Sequence, residues 1–228
     1  MPSSNNNIIA IIGDIHGCYF TLLNLYSEII SFTSEIYSVG DLIDRGRYSK
    51  EVVEFCIDHN IKPVKGNHEE MLINAIDSVK DLEPKLTDEI ALYYYNGGQE
   101  TQENYSQTRD YLSFHKFIKE LEESGHLQFF RQLPLKYEFD AVIITHAGII
   151  KGANENNWLW NRQIPSSIGK LQVAGHTPYS KVQKRKLHYL LIDTGCVYGQ
   201  FLSSGIVNVN TGEIIKIISI EADKKDIL

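Results

Sequence analysis

The residues best suited to chemistry are Asp14, His16, Asp41, Asp44, Asn67, His68, His146 and His176, each in a short fragment that also holds glycine. In chain order the fragments are Gly13-Asp14-Ile15-His16-Gly17, Gly40-Asp41-Leu42-Ile43-Asp44-Arg45-Gly46, Gly66-Asn67-His68-Glu69, His146-Ala147-Gly148, Trp160-Asn161-Arg162, Gly175-His176-Thr177 and Asp193-Thr194-Gly195. Hydrolysis of a phosphate ester at neutral pH has three needs. A water must become hydroxide, the phosphoryl oxygens need countercharge, and the leaving alkoxide needs a proton. Two divalent ions about 3.5–4 Å apart meet the first two, and a shared carboxylate is the usual way to hold them that close. Carboxylates, imidazoles and an amide oxygen are the donors of such a mixed O/N site.

Asp14 and His16 lie two apart at a strand end and can converge on one ion if the strand has just turned. Asp41 follows the next strand and can bridge both ions. Asn67 offers a hard, neutral oxygen. His68 beside it points elsewhere and can act as general acid, and a carboxylate such as Asp44 on its other nitrogen would raise its pKa and fix its tautomer. His146 and His176 each end an apolar run. Arg45 and Arg162 offer planar forks for phosphate oxygens. Trp158 and Trp160, the only tryptophans, read as core or wall. Taken singly, each fragment has an ordinary reading: a strand-end loop, a helix-entry turn with a surface ion pair, a helix cap, a satisfied core histidine. Their joint occurrence favours a metal centre. His59, His115, His126 and His188 are not expected as ligands.

The elements that must position these residues are legible in outline. Residues 8–12 form a continuous apolar run ending in glycine, as a buried strand does. Leu22, Leu23, Tyr26, Ile29 and Ile30 then recur at helical spacing. Strands are expected at 35–39 and 61–64, with a helix around Val52, Val53, Phe55 and Cys56 between them. The first three fragments therefore follow strands, where α/β sheets bind ligands. Residues 69–133 read as helical, polar and tyrosine-rich, interrupted at Asn96-Gly97-Gly98, and suggest a cap over the sheet spanning roughly 70–133. Apolar runs at 142–145 and 171–174 lead to His146 and His176. Beyond them, β-rich runs at 182–186, 189–192, 201–204, 206–209 and 214–220 suggest a largely antiparallel C-terminal sheet.

At 228 residues the chain is expected to be a single domain, 1–228, with a full core. A net charge of −7 argues against non-specific nucleic-acid binding. Three widely spaced cysteines, Cys18, Cys56 and Cys196, form no CxxC pair and suggest a reducing compartment. The polar first residues carry no signal-like pattern, and no stretch approaches a membrane span, so a soluble, cytoplasmic protein without a membrane partner is expected.

With these residues in place, the chain resembles the calcineurin-like metallophosphoesterases. Within them it is similar to the phosphoprotein-phosphatase group, in particular its small bacterial and phage (lambda-phosphatase-like) members. The signature GDxHG, GDxxDRG, GNHE is matched in full at 13–17, 40–46 and 66–69, and HAG, GHT and DTG elements follow. The resemblance implies an α/β fold, a β-sandwich of mixed sheets flanked by helices, with the site at the strand ends. It implies two divalent ions, and the mixed O/N ligand set leads to the expectation that manganese serves best in vitro, with iron or zinc as alternatives. Asp14, His16 and Asp41 would hold the first, and Asp41, Asn67, His146 and His176 the second. His68 would be the general acid, oriented by Asp44, while Arg45 and Arg162 bind phosphate. Two positions depart from the family pattern: Lys65 stands where arginine is common, and Gly199-Gln200 where a Gly-Gly pair is usual. The implied reaction is hydrolysis of phosphoserine and phosphothreonine esters by a hydroxide generated at the ion pair. The diadenosine-tetraphosphatase branch typically lacks the aspartate of DRG and has GNHD. Asp44 and Glu69 therefore place the chain closer to the protein phosphatases, with a nucleotide substrate kept as the alternative. A non-catalytic binding module of this fold would lack ligands or the acid, and here none is missing.

Overall fold

In the computed structural model, which describes residues 7–79 and 85–227, Ile8–Ile12 forms strand β1. The run is apolar throughout because both faces are covered. Ala10 and Ile12 enter a core shared with helices, while Ile9 and Ile11 enter a second core between two sheets. A strand buried on both sides loses the polar alternation of a half-exposed one. Helix α1 (Tyr19–Ile29), β2 (Ile36–Ser38), α2 (Ser49–Asp58), β3 (Lys62–Pro63) and α3 (Asn67–Asp77) follow. Strands β1, β2 and β3 are parallel neighbours, so the loops after them emerge at one end of the sheet.

Helix α1 buries Leu22, Leu25 and Ile29 along one stripe. Its N-cap residue, Cys18, makes no side-chain capping bond. The carboxylate of Asp226 does that work from the far end of the chain, accepting from the amides of Phe20 (3.1 Å) and Thr21 (2.7 Å).

Between α3 and residue 133 lie α4 (Asp88–Tyr95), α5 (Gly98–Ser106), α6 (Phe114–Glu123) and α7 (His126–Gln132). Residues 80–84 of the expected cap lie outside the described residues. The segment is more than a polar cover. Tyr93, Tyr105, Phe114, Phe117 and Phe130 are buried in the same core as α1, α2 and the outer face of the first sheet.

The tail corrects one expectation. Instead of a single antiparallel sheet, its strands divide between two mixed ones. Strands β4 (Lys136–Glu138), β5 (Val142–Thr145), β6 (Leu171–Ala174), β7 (Gln183–Arg185) and β8 (Tyr189–Leu191) form a sheet of order β4-β5-β6-β8-β7. Strands β5, β6 and β8 are parallel, and only the edges β4 and β7 are antiparallel. Strands β9 (Phe201–Asn208) and β10 (Ile214–Glu221) return to the first sheet, whose order is β10-β9-β1-β2-β3. Turn residues show where a strand ends but not which strand it joins, and the long 146–170 connection permits a parallel partner. The runs at 201–204 and 206–209 are one strand. Its interior Gly205 lies where Leu190 of the facing sheet packs, and a Cβ there would sit 2.5 Å from Leu190 Cδ2.

Between the sheets, Ile9, Ile11, Val39 and Val64 meet Val142, Ile144, Val173 and Leu190. This packing brings the loops after β5 and β6 against those after β1 and β2. Among the described residues no helix is long and apolar enough to cross a membrane.

Candidate metal centre

Eight non-glycine residues among those described have positive φ, and five of them are candidate site residues: His16 (47°), Asp41 (51°), Asp44 (71°), Arg45 (68°) and His176 (67°). Each such backbone costs on the order of 1–2 kcal/mol and persists only where its surroundings hold it. Here the hold is visible. The carboxylate of Glu69 accepts from the amides of Asp41 (3.1 Å), Leu42 (2.8 Å) and Gly66 (2.8 Å), pinning two site loops together. Gly66 is needed because a Cβ there would run into the Asp41 carboxylate. In the sequence Glu69 separates GNHE from GNHD, but no structural role is expected of it. The signal for its role was its place three residues after a helix cap, where a glutamate can reach back to the cap amide.

Asp41 lies at the centre. Its Oδ2 is 3.5 Å from His16 Nε2, 3.5 Å from His146 Nε2 and 4.0 Å from His68 Nε2. His16, Asp41 and His68 form one potential metal-holding triad, and Asp41, His146 and His176 form another; Asp41 is common to both. Asp14 belongs to neither triad. It stands beside them, its Oδ2 accepting from the His176 amide (3.0 Å) and its Oδ1 buried without a partner.

The imidazoles are preset as donors of lone pairs. His16 Nδ1 donates to Ile43 O (2.8 Å) and His146 Nδ1 to Val39 O (2.8 Å), which leaves Nε2 of each unprotonated. Burial holds His16 and His146 below the ordinary histidine range, and burial with the neighbouring His146 pushes His176 down to about 3. His146 Nε2 and Asn67 Oδ1, both acceptors, face each other at 2.8 Å, and His176 Nδ1 is also 2.8 Å from that oxygen. A cation between these two lone pairs would satisfy both. The spacing matches two ligands of one ion with bonds of about 2.0–2.2 Å.

The carboxylates agree. Burial and the charges of Asp193 and Asp41 hold Asp14 well above the usual range, and burial with the charge of Asp41 pushes Asp193 up to about 6. For Asp41, burial opposes the charged form, but His146, His68 and His16 outweigh it and hold its pKa low. Bound cations would relieve the repulsion among the three acids. The residues present therefore fit a divalent pair.

His68 differs from the other imidazoles. It is fully buried, its Nδ1 is 2.7 Å from Asp44 Oδ2, and its Nε2 has no partner. Burial disfavours its charged form, but Asp41 and Asp44 outweigh burial and hold it above the ordinary histidine range.

The two arginines are placed unequally. Arg45 Nη1 lies 2.8 Å from His16 Nε2 and its guanidinium stacks 5.8 Å over the Tyr198 ring. Arg162 is exposed, and its charge is felt at His176. Asn161 holds that loop by donating to Ala147 O (3.1 Å) and Gln163 O (2.9 Å). Trp158 is half-buried, but Trp160 is no core residue: it is 45% exposed, its ring edge-on to His176 at 6.2 Å. Lys65, the departure noted in the sequence, pairs with Glu70 at 3.1 Å.

A family model described as calcineurin-like phosphoesterase matches residues 8–199. The chain is 26% identical to serine/threonine-protein phosphatase 1 of Salmonella typhimurium over 221 positions, 87% of this chain and 91% of that one. It is 28% identical to the asymmetrical bis(5'-nucleosyl)-tetraphosphatase PrpE of Halalkalibacterium halodurans over 242 positions, 85% and 87% of the two chains. A 43% identity to a symmetrical bis(5'-nucleosyl)-tetraphosphatase of Buchnera aphidicola spans only 75 residues, 31% of this chain and 27% of that one. The solved structure of a serine/threonine phosphatase from Saccharomyces cerevisiae matches with a TM-score of 0.57 at 17% identity, over 98% of this chain and 82% of that one, a likeness of fold.

Proposed function

The chain belongs to the calcineurin-like phosphoesterase family, and from that premise we propose that it is a metal-dependent phosphomonoesterase acting on phosphoserine and phosphothreonine esters. The observation that carries this reading is the buried His68–Asp44 pair, 2.7 Å apart, with His68 Nε2 unpartnered. A serine or threonine oxygen leaves as a strongly basic alkoxide and needs a proton. A nucleoside polyphosphate leaves as a weak base and needs none. An imidazole fixed by a carboxylate serves the first kind of leaving group.

Asp41, Asn67, His146 and His176 would hold one ion, and Asp14, His16 and Asp41 the other. The mixed O/N donors suit manganese, with iron or zinc as alternatives. When bound, the ions would supply an acidified water and countercharge for the phosphoryl oxygens. Arg45 and Arg162 would grip and orient the phosphate through charge-assisted bonds. His68 would pass its Nε2 proton to the leaving oxygen, with Asp44 keeping the other nitrogen protonated and the ring in register. A cytoplasmic setting is supported by three free, buried cysteines.

Hydrolysis of a dinucleoside tetraphosphate is the second reading. It is favoured by the 28% identity to the asymmetrical tetraphosphatase and by exposed Trp160 beside His176, a surface on which a base could stack.

His68→Asn tests the acid role on which the first reading rests. Its activity on a phosphoserine peptide should fall about 10²–10⁴-fold, with a far smaller loss on p-nitrophenyl phosphate, whose leaving group needs no proton. Bound metal should be retained. Asp44→Asn should show the same selectivity more weakly. Equal losses on both esters with metal bound would remove His68 from the acid role.

A further inference from the structure

We propose that Tyr93 and Thr101, two residues of the helical segment, are positioning residues for the Asp44–His68 pair, so that the segment is a working part of the site. The inference rests on the reading of His68 as proton donor. Both residues are fully buried, and both hydroxyls donate to the same oxygen, Asp44 Oδ1: Tyr93 at 2.9 Å and Thr101 at 2.7 Å. The other oxygen, Oδ2, faces His68 Nδ1 at 2.7 Å.

The hydrogen bonds of this network fit together in one consistent arrangement. A carboxylate oxygen accepts, so the Thr101 hydroxyl donates to Asp44 Oδ1. Thr101 Oγ1 then accepts from the Asp44 amide (2.9 Å) and from the Ser49 hydroxyl (3.0 Å). Ser49 Oγ in turn accepts from that same amide at 3.2 Å. Asp44 is thus held at its backbone, which sits at φ 71°, and at its carboxylate. Rotating the carboxylate would break two buried hydrogen bonds at Oδ1, and this fixes Oδ2 on His68.

The turn between α4 and α5 is shaped for the same loop. Gly97 O accepts from the Arg45 amide at 3.1 Å. Gly97 has φ 96°, and a Cβ there would lie 2.8 Å from Arg45 Cγ; a Cβ on Gly98 would enter the Tyr93 ring. The Asn96-Gly97-Gly98 interruption is therefore the joint that seats α4 and α5 on the Asp44-Arg45 loop.

The test measures kcat, KM and bound manganese for Thr101→Val, Thr101→Ser and Tyr93→Phe, on a phosphoserine peptide and on p-nitrophenyl phosphate. Thr101→Val and Tyr93→Phe should lower kcat on the peptide about 10-fold, in the range of groups that act through a functional imidazole. The loss on p-nitrophenyl phosphate should be no more than about threefold, with peptide KM and metal content maintained. Thr101→Ser, which keeps the hydroxyl, should restore most of the peptide rate. Equal losses on the two esters, lost metal, or a Thr101→Ser as poor as Thr101→Val would overturn the inference. If Thr101→Val does not fold, Tyr93→Phe, which removes one oxygen and keeps the ring, decides alone. His68→Asn run in parallel keeps the two ideas apart. A selective loss there with none in Tyr93→Phe sinks only the positioning role, whereas an unselective loss in His68→Asn sinks the reading beneath it.

Discussion

At the scale of single residues, the centre depends on one carboxylate. Asp41 meets three imidazoles, while its other oxygen accepts from the His68 amide at 3.1 Å. Asparagine in its place keeps that acceptor and the size but loses the charge the two triads share. Asp41→Asn should therefore drop bound manganese from two ions per chain to one or none and cost more activity than Asn67→Ala or His176→Ala. Metal analysis beside phosphate release checks this; a variant keeping both ions and its rate would take Asp41 out of the shared position. The fragments that carry these side chains were legible through their joint occurrence, since each alone has an ordinary reading as a loop, a cap or a core histidine. Their backbones were not. Left-handed geometry at His16, Asp41, Asp44, Arg45 and His176 leaves no trace when the residue is not glycine, and Glu69, which holds two of these loops, looks like any acidic residue in a first helical turn. The sequence reading of Trp160 as core or wall left both open, since an aromatic beside a leucine can turn either way; its exposure beside His176 favours the wall.

At the scale of elements, α1 shows how the frame supports the site. The helix begins directly after the Asp14–His16 loop, and its cap comes from Asp226, 206 and 205 residues from Phe20 and Thr21. Asp226→Ala should cost about 1–2 kcal/mol in urea unfolding, the usual range for a lost cap. A stability equal to wild type would show that the amides of Phe20 and Thr21 find water or another acceptor at no cost. Such a cap is invisible in sequence because Asp226 lies in a polar tail with no periodicity of its own. The strands were legible for the opposite reason: β1, β5 and β6 are short apolar runs bounded by polar or turn residues. Their pairing was not, since β9 finds β1 across nearly the whole chain. The helical segment was recognised by composition, yet the contacts that give it a role, Tyr93 and Thr101 on Asp44, depend on how its turn folds back.

At the scale of the whole molecule, two mixed sheets are packed so that the carboxyl ends of their parallel strands share one rim, where a chain of net charge −7 buries Asp14, Asp41 and Asp193 close together. Cations that bind only the folded state add RT ln(1 + [L]/Kd) to its stability, about 2.7 kcal/mol at one hundred times Kd. The unfolding midpoint should accordingly rise with manganese and fall on chelation, and a midpoint indifferent to both would argue against a buried metal pair. The measurement that bears most directly on function is phosphate release by the manganese-loaded protein from a phosphoserine peptide and from diadenosine tetraphosphate, side by side, before and after chelation. The expected result is a higher kcat/KM on the peptide and loss of both activities when metal is stripped. Cleavage of the tetraphosphate with an inert peptide, or full activity on the peptide from protein shown to hold no metal, would contradict it.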